Sequence, residues 1–128
     1  MRALVVEDNP VNQRVAVALL NRLGFQTEAV TNGKEALDKV RTRHQGYDVI
    51  LMDCQMPVMD GYETTRYIRE LEIDSGLSRT PVIALTADVL PGTERNCLES
   101  GMDDYLSKPV RKENLRKVVE RWVNLTAS

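Results

Sequence analysis

Acidic side chains come directly after two apolar runs of the sequence. Glu7 and Asp8 follow "ALVV" (Ala3–Val6), and Asp53 ends the apolar run of "DVILMDCQMPVMDGYE". An acid in this position is often only the N-cap of the next helix. Carboxylates that gather at one place repel each other and raise each other's pKa, so a cluster of three is costly unless it binds a cation.

A hydroxyl group and an amine lie at the ends of two later apolar runs. Thr86 belongs to "PVIALTA" (Pro81–Ala87), and Lys108 stands before Pro109 in "DYLSKP". Taken singly, such a Thr is usually structural and such a Lys is usually solvated. Together with the acids, they predict a Mg²⁺ or Mn²⁺ site that holds phosphoryl oxygens. A carboxylate can attack phosphorus and form an acyl phosphate, and Asp53 is the candidate nucleophile.

These side chains meet only if the fold brings the ends of their apolar runs together. The predicted strands are Ala3–Val6, "FQTEAV", "YDVILMD", Pro81–Ala87 and Asp104–Leu106. The predicted helices lie in "NPVNQRVAVALLNRLG", "NGKEALDKVRTRH", "DGYETTRYIRELE", "PGTERNCLESG" and "RKENLRKVVERWVNL". This alternation predicts an α/β fold, (βα)5, with a doubly wound five-stranded parallel sheet in the order 2-1-3-4-5, a flavodoxin-like three-layer sandwich. In such sheets the carboxyl ends of the strands form one rim, where ligands bind.

The composition limits the class of protein and its partners. With 128 residues, 42% of them hydrophobic, the chain suits a single domain, residues 1–128, with one core. The net charge of −2 provides no basic field for nucleic acid, and no apolar stretch approaches the roughly 20 residues that cross a membrane. The two cysteines, Cys54 and Cys97, are expected to be reduced, packed thiols in a cytosolic setting.

Two other classes of phosphate-handling protein fit the residues less well. A Mg²⁺-dependent phosphatase of the haloacid dehalogenase type has a second Asp two residues after the nucleophile, where this chain has Gln55. A flavodoxin-like cofactor carrier needs a phosphate-binding loop rich in Ser, Thr or Gly after the first strand, and "EDNPVN" would repel phosphate. The glycine-loop motifs G-x-x-x-x-G-K-[ST] and G-x-G-x-x-G are absent from the sequence as well.

Four motifs carry a family resemblance: "LVVEDN", "DVILMDCQMPVMDGYE", "ALTA" and "DYLSKP". Over essentially its whole length, the chain resembles the receiver domains of two-component response regulators. "VEDNPVNQRVA" together with "MDCQMPVMDG" is most similar to the receiver module of a hybrid histidine kinase. The resemblance implies that the chain takes a phosphoryl group from a phosphohistidine onto Asp53. It then switches conformation or passes the group to a histidine phosphotransfer domain.

The resemblance also implies a role for each residue of the site. Asp53 is the phosphoacceptor, and it binds Mg²⁺ together with Glu7, Asp8 and the backbone carbonyl group of Cys54. Lys108 matches the lysine that binds the phosphoryl group, and the peptide bond that follows this lysine is often cis in the family.

Two further pairs of residues are expected to control switching and phosphate lifetime. Thr86 matches the switch hydroxyl and Tyr105 the aromatic switch position. We expect Thr86 to move toward the phosphoryl group and Tyr105 to rotate into the space that it leaves. Gln55 lies two residues after the acceptor and Asp88 two residues after Thr86. Both either tune the attack of water on the acyl phosphate or are solvated loop residues.

The implied partners are a histidine kinase, a histidine phosphotransfer domain or both, with no nucleic acid and no direct membrane contact. We expect a monomer in isolation and a cytoplasmic location, which includes the cytoplasmic part of a membrane-bound hybrid sensor kinase. The chain is expected to be a signalling domain and no enzyme, although it supports its own phosphoryl transfer and autodephosphorylation. The alternative is a stand-alone response regulator that acts through protein contacts. A degenerate receiver is disfavoured by the intact set of acids.

Apolar residues near the predicted rim have two possible roles. Val11, Val15 and Leu19 recur at helical spacing in the first helix, and Met56 and Met59 flank the acceptor loop. Stripes of this kind more often pack into the core. In a phosphorelay module they could instead dock a helical partner.

Overall fold

The computed structural model describes residues 1–42, 46–56, 59–87 and 89–123. Within these residues, strands and helices alternate along the chain. The strands are β1 (Arg2–Val6), β2 (Gln26–Val30), β3 (Val49–Asp53), β4 (Val82–Thr86) and β5 (Asp104–Ser107). The helices are α1 (Pro10–Arg22), α2 (Gly33–Thr42), α3 (Gly61–Ser75), α4 (Thr93–Ser100) and α5 (Lys112–Trp122). The strand predictions differ from these bounds by one or two residues at the ends, where pairing with the neighbouring strands stops.

The strands form one parallel sheet in the order β2-β1-β3-β4-β5, which confirms the predicted fold. Every residue of β3 and β4 is buried, as expected for central strands that are covered on both faces. β2 is more exposed because it lies at the edge of the sheet. The order reverses at β1 and β3, so the crevice for a ligand lies at the carboxyl ends of these two strands.

The core has two halves, one on each face of the sheet. Alternate residues of β1 point into different halves, Ala3 and Val5 into one and Leu4 and Val6 into the other. The first half includes side chains from α1 and α5, and the second includes side chains from α2, α3 and α4. This gives the three layers that the alternating pattern predicted.

Exposed apolar side chains occur on both helices of one face of the sheet. In α1 the buried residues are Ala16 and Leu20, whereas Val11 and Val15 are 65% and 42% exposed. In α5 the buried residues are Leu115, Val118 and Val119, whereas Trp122 is exposed and donates a hydrogen bond from its indole nitrogen to Asp104. Trp122 is the last residue of α5, and its partner Asp104 is the first residue of the edge strand β5. The prediction of a packed stripe is therefore wrong for Val11 and Val15.

Caps fix the helices that begin beside the carboxyl-end rim. Asn9 accepts hydrogen bonds from the N–H groups of Val11 and Asn12 through its side chain, and Pro10 occupies the first turn. Asp60 caps α3 in the same way. Helix α1 thus leaves the rim immediately after the acidic residues of the first loop.

Two further observations complete the fold. The peptide bond between Lys108 and Pro109 is cis, as the resemblance implied. Among the described residues, no helix combines the length and the apolar character that crossing a bilayer requires.

Candidate functional site

The candidate site lies at the rim formed by the carboxyl ends of the strands. Asp53 is the last residue of β3 and Thr86 the last of β4, while Glu7 and Lys108 directly follow β1 and β5. The strand register brings these ends to one level: Val6 pairs with Met52, and Asp53 pairs with Leu85. The backbone N–H of Lys108 donates to the carbonyl oxygen of Thr86 (2.8 Å), so the amine and the hydroxyl belong to adjoining backbone.

The three acids meet as the sequence predicted. Oxygen atoms of Glu7, Asp8 and Asp53 all lie within 4.8 Å of one another. Glu7 and Asp53 are almost completely buried, whereas Asp8 is exposed. The Nζ atom of Lys108 lies 2.8 Å from Oδ1 of Asp53 and 3.1 Å from Oε2 of Glu7. One ammonium group therefore faces three carboxylates, which leaves an excess of negative charge at the rim.

Burial and the neighbouring charges shift the pKa values of two groups. Burial raises the pKa of Glu7, and the charge of Asp53 raises it further, although a backbone hydrogen bond from Asn9 and the contact with Lys108 act in the other direction. For Lys108, burial disfavours the charged form, but the close contacts with the carboxylates of Asp53 and Glu7 outweigh it and raise the pKa. The acids thus hold Lys108 in its charged form at neutral pH.

Two buried oxygen atoms of this cluster lack a hydrogen-bond donor among the described residues. They are Oδ2 of Asp53 and Oε2 of Glu7, of which the second has only its ion pair with Lys108. A buried acceptor without a donor costs about 1–3 kcal/mol, and the cost is larger for a charged group. Hard oxygen donors that are buried, negatively charged and unsatisfied are suitable ligands for Mg²⁺, which prefers carboxylate oxygens.

The carbonyl group of Cys54 borders the same cluster. Its oxygen accepts a hydrogen bond from the N–H of Gly61 (3.1 Å), and a carbonyl oxygen has a second lone pair for another partner. A side chain at Gly61 would place its Cβ atom 2.2 Å from the backbone oxygen of Asp53. Glycine at this position therefore allows α3 to begin directly against the residues that carry the site.

The remaining predicted site residues differ in how deeply they are buried. Gln55 is exposed, and its backbone N–H donates to Oδ1 of Asp53 (3.2 Å). Thr86 is buried, and Tyr105 on the neighbouring strand is partly buried and packs against the core. Asp88 lies outside the described residues, so its predicted effect on phosphate lifetime stays a prediction.

The two cysteines, and the two methionines of the acceptor loop, pack against the core, as the structural interpretation of these residues predicted. Cys54 and Cys97 are buried, unbridged thiols in the same half of the core. Met56 and Met59 are partly buried against that half. Their packing favours the structural role over docking of a partner.

Sequence reasoning did not identify Gln13, whose side-chain amide contacts the acidic loop. Its Nε2 atom donates to the carbonyl oxygens of Glu7 (3.2 Å) and Val30 (3.0 Å). The available signal was a polar residue one turn inside α1, but such a residue is usually solvated. Its partner Val30 lies 17 positions away along the chain, and only the fold brings the two together.

Known proteins were compared with the chain by sequence and by structure. A model of the response regulator receiver domain family matches residues 3–120. Hybrid signal transduction histidine kinase M of Dictyostelium discoideum is 42% identical over 94% of the chain, and the sensor protein GacS of Pseudomonas syringae pv. syringae is 41% identical over 97%. The matched segments span only 5% and 14% of these two relatives.

The chain is also similar to solved structures of receiver domains. The receiver domain of a Pseudomonas aeruginosa sensor histidine kinase, with a magnesium ion in its active-site cleft, is 46% identical. Its TM-score is 0.82, and the match covers 94% of this chain and 95% of that one. The Saccharomyces cerevisiae receiver domain of Ssk1, crystallised with the phosphotransfer protein Ypd1, is 32% identical. Its TM-score is 0.89, and the match covers 100% of this chain and 92% of that one.

Proposed function

The chain belongs to the response regulator receiver domain family, and we propose that it accepts a phosphoryl group on Asp53 with the aid of Mg²⁺. Its relatives among hybrid histidine kinases confirm the hybrid-kinase type that the motifs predicted. The observation that carries the proposal is the state of Asp53. This buried carboxylate ends the central strand, Lys108 holds one of its oxygens, and the other oxygen has no hydrogen-bond donor among the described residues.

The proposed ligands of Mg²⁺ are the three acids and the carbonyl oxygen of Cys54. Their charge, burial and unsatisfied oxygens fit a hard divalent cation. When bound, Mg²⁺ would neutralise part of the charge on the phosphoryl oxygens as they approach the carboxylates. The magnesium-containing Pseudomonas aeruginosa receiver supports this proposal, since it shares 46% of its sequence with this chain.

The side chains of this protein would perform the transfer. A carboxylate oxygen of Asp53 forms a bond to phosphorus as the P–N bond of a phosphohistidine breaks, and the electron pair of that bond stays on the imidazole nitrogen. Lys108 already contacts Asp53, so its ammonium group can follow the negative charge onto the phosphoryl oxygens. The Thr86 hydroxyl, at the end of the neighbouring strand β4, would contact another phosphoryl oxygen.

We propose that Thr86 and Tyr105 form the conformational switch. They lie on adjacent strands, with Ala84 paired to Tyr105 and Thr86 paired to Ser107. A phosphoryl group on Asp53 would attract the Thr86 hydroxyl, and the partly buried ring of Tyr105 would rotate into the space left behind. NMR spectra recorded with beryllofluoride, a phosphoryl mimic, should show shifts along β4, α4 and β5. Shifts confined to the phosphoacceptor pocket would contradict this switch.

A histidine phosphotransfer domain is the proposed partner, and the start of α1 is its proposed docking surface. Val11 and Val15 are exposed apolar residues on the helix that follows the acidic loop. An apolar surface beside the acceptor would allow a helical partner to present its phosphohistidine to Asp53. The Ssk1 receiver, crystallised with Ypd1, supports a partner of this class. Substitution of Val11 by Lys should slow transfer from such a partner without slowing phosphorylation by acetyl phosphate.

Three further predictions made from the sequence are part of the proposal. Residues 1–128 form a single receiver domain, the domain acts in the cytoplasm, and it releases its phosphoryl group by autodephosphorylation. Gln55 and Asp88 are the proposed residues that set the rate of this release. The exposure of Gln55 and the hydrogen bond from its backbone N–H to Asp53 support this role.

Phosphorylation by a small molecule tests the core of the proposal. Incubation with acetyl phosphate and Mg²⁺ should add one phosphoryl group, detected by mass spectrometry of the intact protein. Asp53→Asn keeps the shape of the side chain and should abolish the adduct. Asp48→Asn, just before the opposite end of β3, is the matched control and should leave it unchanged. An adduct that persists in Asp53→Asn would refute Asp53 as the acceptor.

A further inference from the structure

Gln13 connects α1 to the corner where the chain leaves the sheet. Its half-buried side chain donates two hydrogen bonds from Nε2, to the carbonyl oxygens of Glu7 (3.2 Å) and Val30 (3.0 Å). A side-chain amide nitrogen has two hydrogens, so both are used on backbone acceptors. The N–H of Glu7 also donates to the Val30 carbonyl (3.1 Å). Val30 is therefore the meeting point of the acidic loop, strand β2 and Gln13.

This contact determines the direction of the acidic loop. Strand β2 ends at Val30, so the carbonyl of Glu7 lies beyond the strand that would otherwise pair with it. That carbonyl belongs to the rigid peptide unit that joins Glu7 to Asp8. A hydrogen bond to it restricts the rotation of the whole unit, and with it the directions in which both acidic side chains leave the backbone.

Packing against neighbouring residues restrains the side chain of Glu7 more than that of Asp8. Glu7 is buried and accepts a hydrogen bond at Oε1 from the N–H of Asn9 (3.1 Å), whereas the Asp8 side chain is exposed. The orientation of Asp8 consequently depends on the peptide unit before it and on the capped start of α1 after it. Gln13 holds the first of these two supports.

We infer that Gln13 is a positioning residue for the cation site. It holds the peptide unit between Glu7 and Asp8 so that both carboxylates face Asp53 before the cation binds. Groups that orient the ligands of a metal in this way commonly change its affinity by about 10- to 100-fold when they are removed. The inference rests on the proposed binding of Mg²⁺ by these acids.

Two variants of Gln13 and one neighbouring control test the inference. Gln13→Met keeps the length of the side chain but has no donor, and Gln13→Asn keeps the amide but is one methylene too short to reach both carbonyls. Arg14→Met changes the next, exposed residue of the same helix. The dissociation constant of Mg²⁺ is measured by calorimetry and by NMR titration of the Asp8 amide. The rate of acetyl phosphate labelling is measured as a function of Mg²⁺ concentration.

Both Gln13 variants should weaken Mg²⁺ binding by about 10-fold, the lower end of the range for such supporting groups. The labelling rate at saturating Mg²⁺ should stay within about twofold of the rate of the parent protein. Once bound, the cation itself holds the carboxylates of Glu7 and Asp8 in place. Arg14→Met should change neither quantity. The amide resonance of Asp8 in the Mg²⁺-free protein should move in both Gln13 variants and remain in place in the control.

The possible outcomes separate this inference from the proposed function. Unchanged Mg²⁺ affinity in a folded Gln13 variant, with or without a lower free energy of unfolding, would show a purely structural residue and overturn the inference alone. A fall in the labelling rate at saturating Mg²⁺ would place the effect on the chemistry and also overturn it. Failure of the parent protein to bind Mg²⁺ would overturn the proposed function and this inference together.

Discussion

The two rims of the sheet carry clusters of charged residues that differ in how fully their charges are compensated. At the carboxyl ends, three acids face a single ammonium group, and a buried oxygen of Asp53 lacks a donor among the described residues. At the amino ends, two acids, Glu72 and Asp103, face two guanidinium groups, Arg69 and Arg79. The first cluster has more negative than positive groups, and the second has equal numbers of both.

Arg69 is the centre of the amino-end cluster. Its guanidinium donates to Glu72 (2.8 Å), to Asp103 (2.9 Å) and to the backbone carbonyls of Thr80 (2.8 Å) and Gly101 (2.9 Å). This single side chain therefore ties α3 to the loops before β4 and β5. Only 12% of it is exposed, so its hydrogen bonds are largely shielded from water.

Each carboxylate oxygen of the amino-end cluster also has a donor. The second oxygen of Glu72 accepts from the N–H of Thr80 (2.7 Å). Asp103 accepts from Arg79 at one oxygen (2.8 Å) and from the N–H of Val82 at the other (2.9 Å). A saturated cluster of this kind stabilises the fold. The unsaturated cluster at the other rim lowers stability in the absence of a ligand and is suited to binding one.

Breaking the saturated cluster should give the largest effect. Arg69→Met keeps much of the aliphatic volume but leaves Glu72 and Asp103 without their main cation. Loss of one partner from a buried ion pair costs about 3–5 kcal/mol. The free energy of unfolding, measured with urea, should fall by this amount. Arg66→Met, an exposed position on the same helix, is the control and should change it by under about 0.5 kcal/mol. A loss for Arg69→Met as small as that of the control would remove the distinction between the rims.

The unsaturated rim should respond less to the loss of its cation, and its response should depend on pH. Lys108→Met removes a hydrogen bond to Asp53 and an ion pair with Glu7, a loss of about 2 kcal/mol at neutral pH. Because the folded-state pKa of Lys108 is raised, its contribution is complete below its ordinary pKa of 10.5 and is lost as the pH rises through the folded value. The difference in unfolding free energy between the parent and Lys108→Met should therefore shrink above pH 10.5.

Urea unfolding at pH 8 and in the alkaline range measures this difference. Arg116→Met, which removes an exposed cation from α5, serves as the control and should show no such convergence with the parent. A difference that stays constant through the alkaline range would contradict the stabilising role assigned to the charge of Lys108.

The contrast between the rims also explains what could be predicted from the sequence. Glu7, Asp53 and Thr86 each stand at the end of an apolar run, so a parallel sheet necessarily brings them to one rim. The Arg69 cluster offers no such pattern. Its partner Asp103 lies 34 positions away, in a turn whose position depends on how α4 packs. The sequence of α3 alone shows only an Arg on an amphipathic helix.

The errors in α1 have a related physical cause. Helical spacing identified Val11, Val15 and Leu19 as one stripe. Leu19 packs partly against the core, but Val11 and Val15 are exposed, and the fully buried residues of the helix are Ala16 and Leu20. An apolar stripe indicates which residues can be buried, whereas the face that is buried depends on the angle at which the helix leaves the acidic loop. Gln13, which sequence reasoning missed, is one of the contacts that connect α1 to this loop and to β2.

The smallest predicted effect has the opposite sign and comes from the unsaturated rim. Asp8→Asn removes one of three mutually repelling charges from a side chain that is exposed and close to Glu7 and Asp53. Two like charges about 4 Å apart in water repel by about 1 kcal/mol. In Mg²⁺-free buffer the variant should therefore unfold at higher urea, with a gain of up to this amount.

Salt and Mg²⁺ make this prediction specific to the charge of Asp8. Added salt should reduce the gain, because the repulsion of exposed charges is screened. Added Mg²⁺ should reverse it, since the cation stabilises the parent by binding to the folded state and the variant has lost a ligand. Asp74→Asn, on the exposed face of α3, should show neither response. If Asp8→Asn destabilises the Mg²⁺-free protein, the acids of this rim do not oppose folding, and the two charge clusters differ in composition alone.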